Sequence, residues 1–412
     1  MIRQKGTATR QVIAAVACCL LAVVSSPALA GSCLDALEPL LEDTSDDCIG
    51  IPSNPKFFEA STLWWGGLER LVVNTGNELR MWTIDDAQAP VFAAESALNV
   101  PNQGDSDYDL LNYSFCDDCR FGVAVFKLGV SLFDLGTMGS PGFADDLAYL
   151  TSSEPQGAFT FAIGGQQYLL ANSLPGDCGG DATLYRFDGI YVGQFEPAGC
   201  VRIPNWNLKI VNGFHLRDGD QSYLYLGFNN RRVYQFSVTE LSGSITLRYL
   251  NYGDDVPMAH LMRGKGMAID QDHGLAVATL KTGAMRIYDI SDPARPVEIA
   301  SQAGSWDLAA LRYPFLWAAD RSTPDSSVTW DITNPFNPVA VDQGFWDGSW
   351  PWNNHSDQCE WPGGAVFAGD ASTLYFPRYS VVQMIGFSGC NTTVLSDGFE
   401  SGDTLAWSAT VP

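Results

Sequence analysis

The sequence predicts an all-β chain that folds as a single β-propeller of about seven four-stranded blades. Three observations predict it. A strand motif recurs at a nearly constant period, a proline follows it at a fixed offset, and glycine (40) and proline (22) punctuate the chain where long helices would tolerate neither. The motif is clearest in Leu79-Arg80-Met81-Trp82-Thr83-Ile84 with Pro90, Val130-Ser131-Leu132-Phe133-Asp134-Leu135 with Pro141, Met285-Arg286-Ile287-Tyr288-Asp289-Ile290 with Pro296, and Val328-Thr329-Trp330-Asp331-Ile332 with Pro338. In each, the proline stands six residues after the closing Ile or Leu. Copies without the proline fall at Leu184 to Asp188, Val233 to Val238 and Val381 to Ile385, which makes seven. Aligned on Thr83, Asp134, Phe187, Phe236, Asp289, Asp331 and Met384, the copies are 42 to 53 residues apart, the length of one blade.

Each period carries more than one strand. Leu68 to Asn74, Gly122 to Lys127, Tyr223 to Phe228, Leu275 to Leu280 and Phe315 to Ala319 are β-rich stretches just ahead of a copy, set off by turn residues such as Gly76-Asn77 and Gly283. That arrangement is a β-hairpin. Asp270-Gln271-Asp272-His273-Gly274 lies between two strand-like runs and is a hairpin turn as well. After the copies, Ser291-Asp292-Pro293 and Thr333-Asn334-Pro335 are turns capped by their own side chains, and the later proline opens an outer strand. No such unit is stable alone, because each buries its apolar face only against its neighbours.

The segments outside the repeats divide the rest of the chain. Arg3, Lys5 and Arg10 precede an apolar run from Val12 to Val24 and a small-residue cleavage site ending at Ala30, the pattern of a secretory signal peptide over residues 1–30. No later run approaches the roughly 18 apolar residues of a membrane-spanning helix, so the expectation is a soluble, monomeric, secreted or cell-surface protein. Eight cysteines follow the leader: Cys33, Cys48, Cys116, Cys119, Cys178, Cys200, Cys359 and Cys390. An even count outside the cytosol suggests disulfides, and sequence neighbours favour pairing them in that order. Cys33 with Cys48 makes residues 31–55 an N-terminal loop, leaving 56–390 for the propeller and 391–412 for a tail. Cys116-Asp117-Asp118-Cys119 also has the spacing of half a zinc site or of a redox pair, though no further ligands stand nearby.

The repeat resembles that of the LVIVD-type β-propeller proteins. The likeness is carried by Met285 to Pro293 with Arg295-Pro296-Val297, and by Val328 to Val339. It implies an exported or surface-associated protein of a group with no agreed activity. A WD40-type repeat fits less well, since Trp330-Asp331 occurs once and that family's Gly-His pair is missing. The tail, Ser396-Asp397-Gly398-Phe399-Glu400-Ser401-Gly402-Asp403, resembles a short DGFESGD-type terminal segment of exported bacterial proteins. It is read either as a sorting tag or as the remnant of a further β-domain.

Charge excludes one class of partner. The chain has 23 Lys+Arg against 47 Asp+Glu, a net charge of −24, and the leader takes away three basic residues and no acidic ones. Phosphate backbones repel such a surface, so nucleic acid is not a partner. The most unusual stretch runs from Gly344 to Trp361. There Trp346, Trp350, Trp352 and Trp361 offer indole faces to sugar rings or apolar side chains, while Asp347, Asn353, Asn354, His355, Asp357 and Glu360 offer hydrogen bonds. The bland alternative is a long inter-blade loop whose aromatics fold back over the ring, and Trp64-Trp65 and Trp306 are read as packing between blades. Asp105, Asp107 and Asp109 alternate as in a calcium loop but lack its sixth-position glycine and closing glutamate, so a solvated acidic loop is expected, with no cofactor. His215, His260, His273 and His355 are scattered and read as surface or loop residues. No nucleophile, zincin, P-loop or dinucleotide motif occurs. The functional expectation is a non-catalytic exported propeller that binds protein or glycan through loops on one face. A propeller-fold hydrolase of glycans or esters and a surface-structural component are the alternatives.

Overall fold

The repeat motif is rich in β-branched and aromatic residues, and its clearest copies close on an Ile or Leu that turn-forming Asp, Asn, Ser, Thr or Gly residues follow, so it makes one strand and stops. A computed structural model describes residues 34–37, 40–42, 58–75, 78–97, 110–114, 116, 119–126, 129–134, 158–171, 182–187, 195–201, 210–228, 232–241, 244–255, 267–280, 284–306, 308–319, 327–343, 364–377, 381–387 and 390. In it, all seven motif copies are the third strand of their own antiparallel sheet.

The chain begins with two short strands, β1 (Asp35–Ala36) and β2 (Leu41–Glu42). The first consecutive sheet is β3 (Phe58–Trp65), β4 (Leu68–Thr75), β5 (Glu78–Thr83) and β6 (Val91–Ala97). Next come β7 (Leu110–Ser114), β8 (Phe121–Phe126) and β9 (Gly129–Asp134), then β10 (Ala158–Ile163), β11 (Gln166–Ala171), β12 (Ala182–Phe187) and β13 (Phe195–Val201). The following sheets are β14 (Ile210–Asp218), β15 (Gln221–Phe228), β16 (Arg232–Leu241) and β17 (Ser244–Asp255), and β18 (Met267–Asp270), β19 (Leu275–Thr279), β20 (Met285–Asp289) and β21 (Val297–Gln302). Then come β22 (Leu308–Arg312), β23 (Phe315–Ala319), β24 (Ser327–Asp331) and β25 (Val339–Gln343), and finally β26 (Val366–Phe367), β27 (Thr373–Pro377) and β28 (Val381–Gly386). The fold is an all-β propeller with four-stranded blades. Six sheets have the four or more strands of a complete blade, against the expectation of about seven; the β7–β9 sheet has three among the described residues. Among those residues no helix is long and apolar enough to cross a membrane.

The last sheet takes its outer edge from the start of the chain. Both β1 and β2 pair with β28, with Asp35 opposite Gly386 and Leu41 opposite Val382. Leu37 N and Leu40 N donate to Met384 O (3.1 Å) and Val382 O (2.9 Å). The segment expected to be a disulfide loop thus supplies strands to the closing blade, while Cys33 and Cys48 lie outside the described residues.

Apolar burial lies between sheets rather than within any one of them. Five clusters each join two neighbouring sheets, as where Phe161 and Leu170 meet Leu224 and Phe236, or where Trp317 meets Leu374 and Phe376. The second strand of a blade is covered on both faces, so β19, β23 and β27 are buried along their full length, and β23 reads as an unbroken apolar run. Outer strands such as β21 have only exposed and half-buried residues.

The three best motif copies share one backbone device. The amides of Ile84, Ile290 and Ile332 donate to Glu69 O (3.0 Å), Gly274 O (2.7 Å) and Pro314 O (2.8 Å), and all three side chains are buried. Asp86, Asp292 and Asn334 then accept the amides of Gln88 (2.9 Å), Ala294 (2.9 Å) and Phe336 (3.2 Å), turning the chain toward the proline. The outer strand that follows carries one extra residue at the same place, opposite the third-strand steps from Met81 to Trp82, Ile287 to Tyr288 and Thr329 to Trp330.

That turn also fastens one blade to the blade before it. Tyr375 Oη donates to Ala87 O at 2.8 Å, and Tyr225 Oη donates to Pro293 O, which also accepts from Gln235 Nε2. Ala87 and Pro293 each stand three residues after the buried isoleucine, so the two contacts are equivalent. Burial, first of all, raises both phenols, so each remains a proton donor. Tyr375→Phe is expected to lower stability by about 1–2 kcal/mol by orphaning a buried carbonyl. Tyr225→Phe should lower it by less, because Gln235 still serves Pro293. Urea unfolding of the two variants and the double variant should give additive losses.

Candidate functional site

The hairpins that join first to second strands gather at one mouth of the central channel. Four of them close in two residues: Gly66-Gly67, Gly164-Gly165, Gly219-Asp220 and Tyr313-Pro314. Both residues of the two Gly-Gly turns have positive φ (64° and 77°; 59° and 79°), as the twist of a two-residue hairpin requires. Behind this mouth is a cavity of about 980 Å³, lined by the first strand of all seven sheets, from Ser61 on β3 to Val366 on β26.

Side chains link the blades in series around the mouth. Arg217 Nη2 donates to Ala162 O of the preceding sheet at 2.8 Å, and Gln271 Nε2 of the next sheet donates to Arg217 O at 3.3 Å. Asp270, fully buried, accepts the Tyr313 amide at 2.8 Å and the His273 amide at 3.3 Å, with His273 Nδ1 at 3.1 Å. Arg312 Nη1 lies 3.0 Å from Asp272 and 3.6 Å from Asp270, while its Nε donates to Gly369 O at 2.7 Å. Gly369 N completes the step to the β3–β6 sheet by donating to Glu69 Oε1 at 2.7 Å. A Cβ at Gly369 would stand 2.9 Å from the Glu69 carboxylate, which would have to shift. Deeper in the channel, Ser114 Oγ lies 3.0 Å from Thr160 Oγ1, and the Phe121 amide donates to Gln167 Oε1 at 3.1 Å.

Three aromatic or titratable groups stand out. Trp64 is 50% exposed beside the Gly66-Gly67 turn and lines the cavity, where packing between blades was expected; Trp306 does pack between blades, edge-on to Trp330 at 5.1 Å. His273 stacks on Tyr313 at 4.4 Å in the hairpin turn. His215 is not the surface or loop residue expected: it sits in β14, against the Phe161 ring of the adjacent sheet at 5.7 Å, with Nε2 buried and unpartnered.

Burial, and secondarily the Arg217 guanidinium, lowers the His215 imidazole to about 4. The unfolded chain therefore takes up this proton first. Stability contributed at His215 should be constant above about pH 7, fall from pH 6.5 to 4, and level off below, a loss of about 3 kcal/mol in total. Comparing denaturation midpoints of the parent and His215→Gln across that range isolates the effect, since the variant keeps every other titrating group.

Several expected site residues lie outside the described residues: the whole set from Trp346 to Trp361, and Asp105, Asp107 and Asp109. Among the described residues no group of three His, Cys, Asp or Glu is placed to hold a metal ion. Cys116 and Cys119 are bonded to each other at the tip of the β7–β8 hairpin, and Cys200 and Cys390 are also disulfide-bonded. Sequence reading missed Arg217, Arg312 and Glu69, and assigned Trp64 to packing between blades although it stands two residues before a Gly-Gly hairpin.

Comparison with known proteins returns the fold alone. No protein-family model matches the chain, and no curated protein matches it. Among solved structures, it is similar to the crystal structure of the Cps50 (Swd1) β-propeller domain from Myceliophteria thermophila. The TM-score is 0.52 at 11% identity, over 84% of this chain and 99% of that one.

Proposed function

We propose that this chain is an exported, non-catalytic propeller of the LVIVD-repeat type that binds a protein or a glycan through one face of its ring. The observation that carries the reading is the half-exposed Trp64 indole at the rim of a cavity of about 980 Å³ with a mixed polar and apolar lining. An indole face takes the C–H face of a sugar or an apolar side chain, and Glu69, Arg120 and Gln166 supply charged and amide groups around it. The described residues on either side of the tryptophan-rich stretch, Gln343 and Gly364, stand at strand ends remote from the turns that hold Trp64, as the pairing of Gln343 with Val328, of Ala318 with Val328 and Ala309, and of Gly364 O with Ala60 N requires. The hydrolase alternative has less support, because the most buried carboxylate at the mouth, Asp270, is committed to Tyr313 N and His273.

Glycan-array and pull-down measurements with the mature chain test the proposal. The expected result is a specific partner whose affinity falls tenfold or more in Trp64→Ala, about 1.4 kcal/mol, with an unchanged melting temperature. A loss confined to Trp352→Ala would move the site away from Trp64 to the tryptophan-rich stretch, and a screen without any partner would contradict the binding reading.

A further inference from the structure

We propose that the Cys116–Cys119 disulfide is a redox site, open to exchange with a thiol that enters the channel from the mouth. Both cysteines line the cavity at the tip of the β7–β8 hairpin. Their exposure is unequal: Cys116 is half-buried, whereas Cys119 is only 2% exposed. Access therefore directs an incoming thiolate to the Cys116 sulfur, and Cys119 becomes the leaving group.

The bond has little to do as a brace. It spans a sequence separation of only three, where a cross-link removes the least chain entropy. The same turn is already closed by Cys119 N donating to Cys116 O at 3.1 Å, by the pairing of Ser114 with Val123, and by the bonds of Phe121 to Gln167 in the next sheet. The two cysteines also have the Cys-x-x-Cys spacing of exchanging pairs. Arg120, next to Cys119, favours a departing thiolate, while Asp117 and Asp118 disfavour one. Access thus distinguishes this pair more than thiol acidity does.

The exchange balances with a dithiol of a protein or peptide as co-reactant. Its first thiolate bonds to Cys116 Sγ as the Cys116–Cys119 bond breaks, and Cys119 leaves with the electron pair and takes a proton from water. The partner's second thiol, losing its proton to water, then attacks the partner sulfur of the mixed disulfide. Cys116 leaves as a thiolate and is protonated, so the pair is reduced by two electrons and the partner is oxidised to a disulfide.

The test titrates the mature chain with reduced and oxidised glutathione, alkylates the free thiols and reads them by peptide mass spectrometry. It needs no bound partner, so its outcome is separate from that of the binding proposal. Cys116 and Cys119 should become alkylated at a thiol concentration at least tenfold below that which opens the bonds of Cys200 and Cys390. The melting temperature should hold, and Cys119→Ser should accumulate glutathione at Cys116. The double variant Cys116→Ser/Cys119→Ser should keep the parent's cooperative unfolding. Opening together with or after the other bridges, collapse of the fold on reduction, or no adduct at Cys116 would each overturn the proposal.

Discussion

Deleting residues 34–42 abolishes cooperative unfolding of the propeller. The segment supplies β1 and β2 to the edge of β28, buries Leu34 in the cluster between the last two sheets, and packs Leu37 and Leu40 against the cluster that joins the last sheet to the β3–β6 sheet. Burying a leucine fully is worth roughly 1.5–3 kcal/mol. With the backbone bonds of Leu37 and Leu40 also gone, the loss is on the order of 5 kcal/mol, the lower end of a whole domain's stability. The loss falls at one place, the closure of the ring, where Tyr375 with Ala87, Gly369 with Glu69 and the rest of the apolar cluster are left to hold the last sheet to the β3–β6 sheet. Differential scanning calorimetry should show a broad, low-enthalpy transition in place of a single sharp one.

The second large effect belongs to Asp270→Ala. The Asp270 carboxylate is fully buried and serves the Tyr313 amide of the next sheet, the His273 amide and ring, and the Arg312 guanidinium. Removing it leaves a backbone N–H without its acceptor and Arg312 with Asp272 alone, a loss of about 3–5 kcal/mol. Asp270→Asn keeps one carbonyl oxygen for the Tyr313 amide and should lose less than half as much. Urea midpoints of the two variants rank the effects, and equal losses would mean that charge, rather than the amide acceptor, matters there.

The third strands were legible because their chemistry is local. An Asp or Asn that must cap a turn, an isoleucine that must be buried and a proline that must start an outer strand recur in register, and the bonds of Asp292, Ile290 and their equivalents show why. The first strands were less legible. Residues 58–65 and 210–218 face a channel that mixes Ser, Thr, His and apolar side chains, so neither alternation nor an apolar run marks them. The strands β1 and β2 are two residues each, too short for any period, and exist only because β28 offers an edge. Much the same holds at the mouth. Arg217, Arg312 and Gln271 are positioned largely by backbone carbonyls of other blades, and acceptors that every residue carries leave no trace in residue identity. The tryptophan-rich stretch drew attention by composition, whereas Trp64 matters through the hairpin that lifts it to the rim.

Hydrogen exchange of the intact chain tests ring closure most directly. The amides of Leu37 and Leu40 should exchange as slowly as peptides covering residues 381–386, because they share one edge of one blade. Exchange of residues 34–42 at the rate of an unstructured peptide, alongside protected residues 381–386, would contradict a ring fastened by the two ends of its chain.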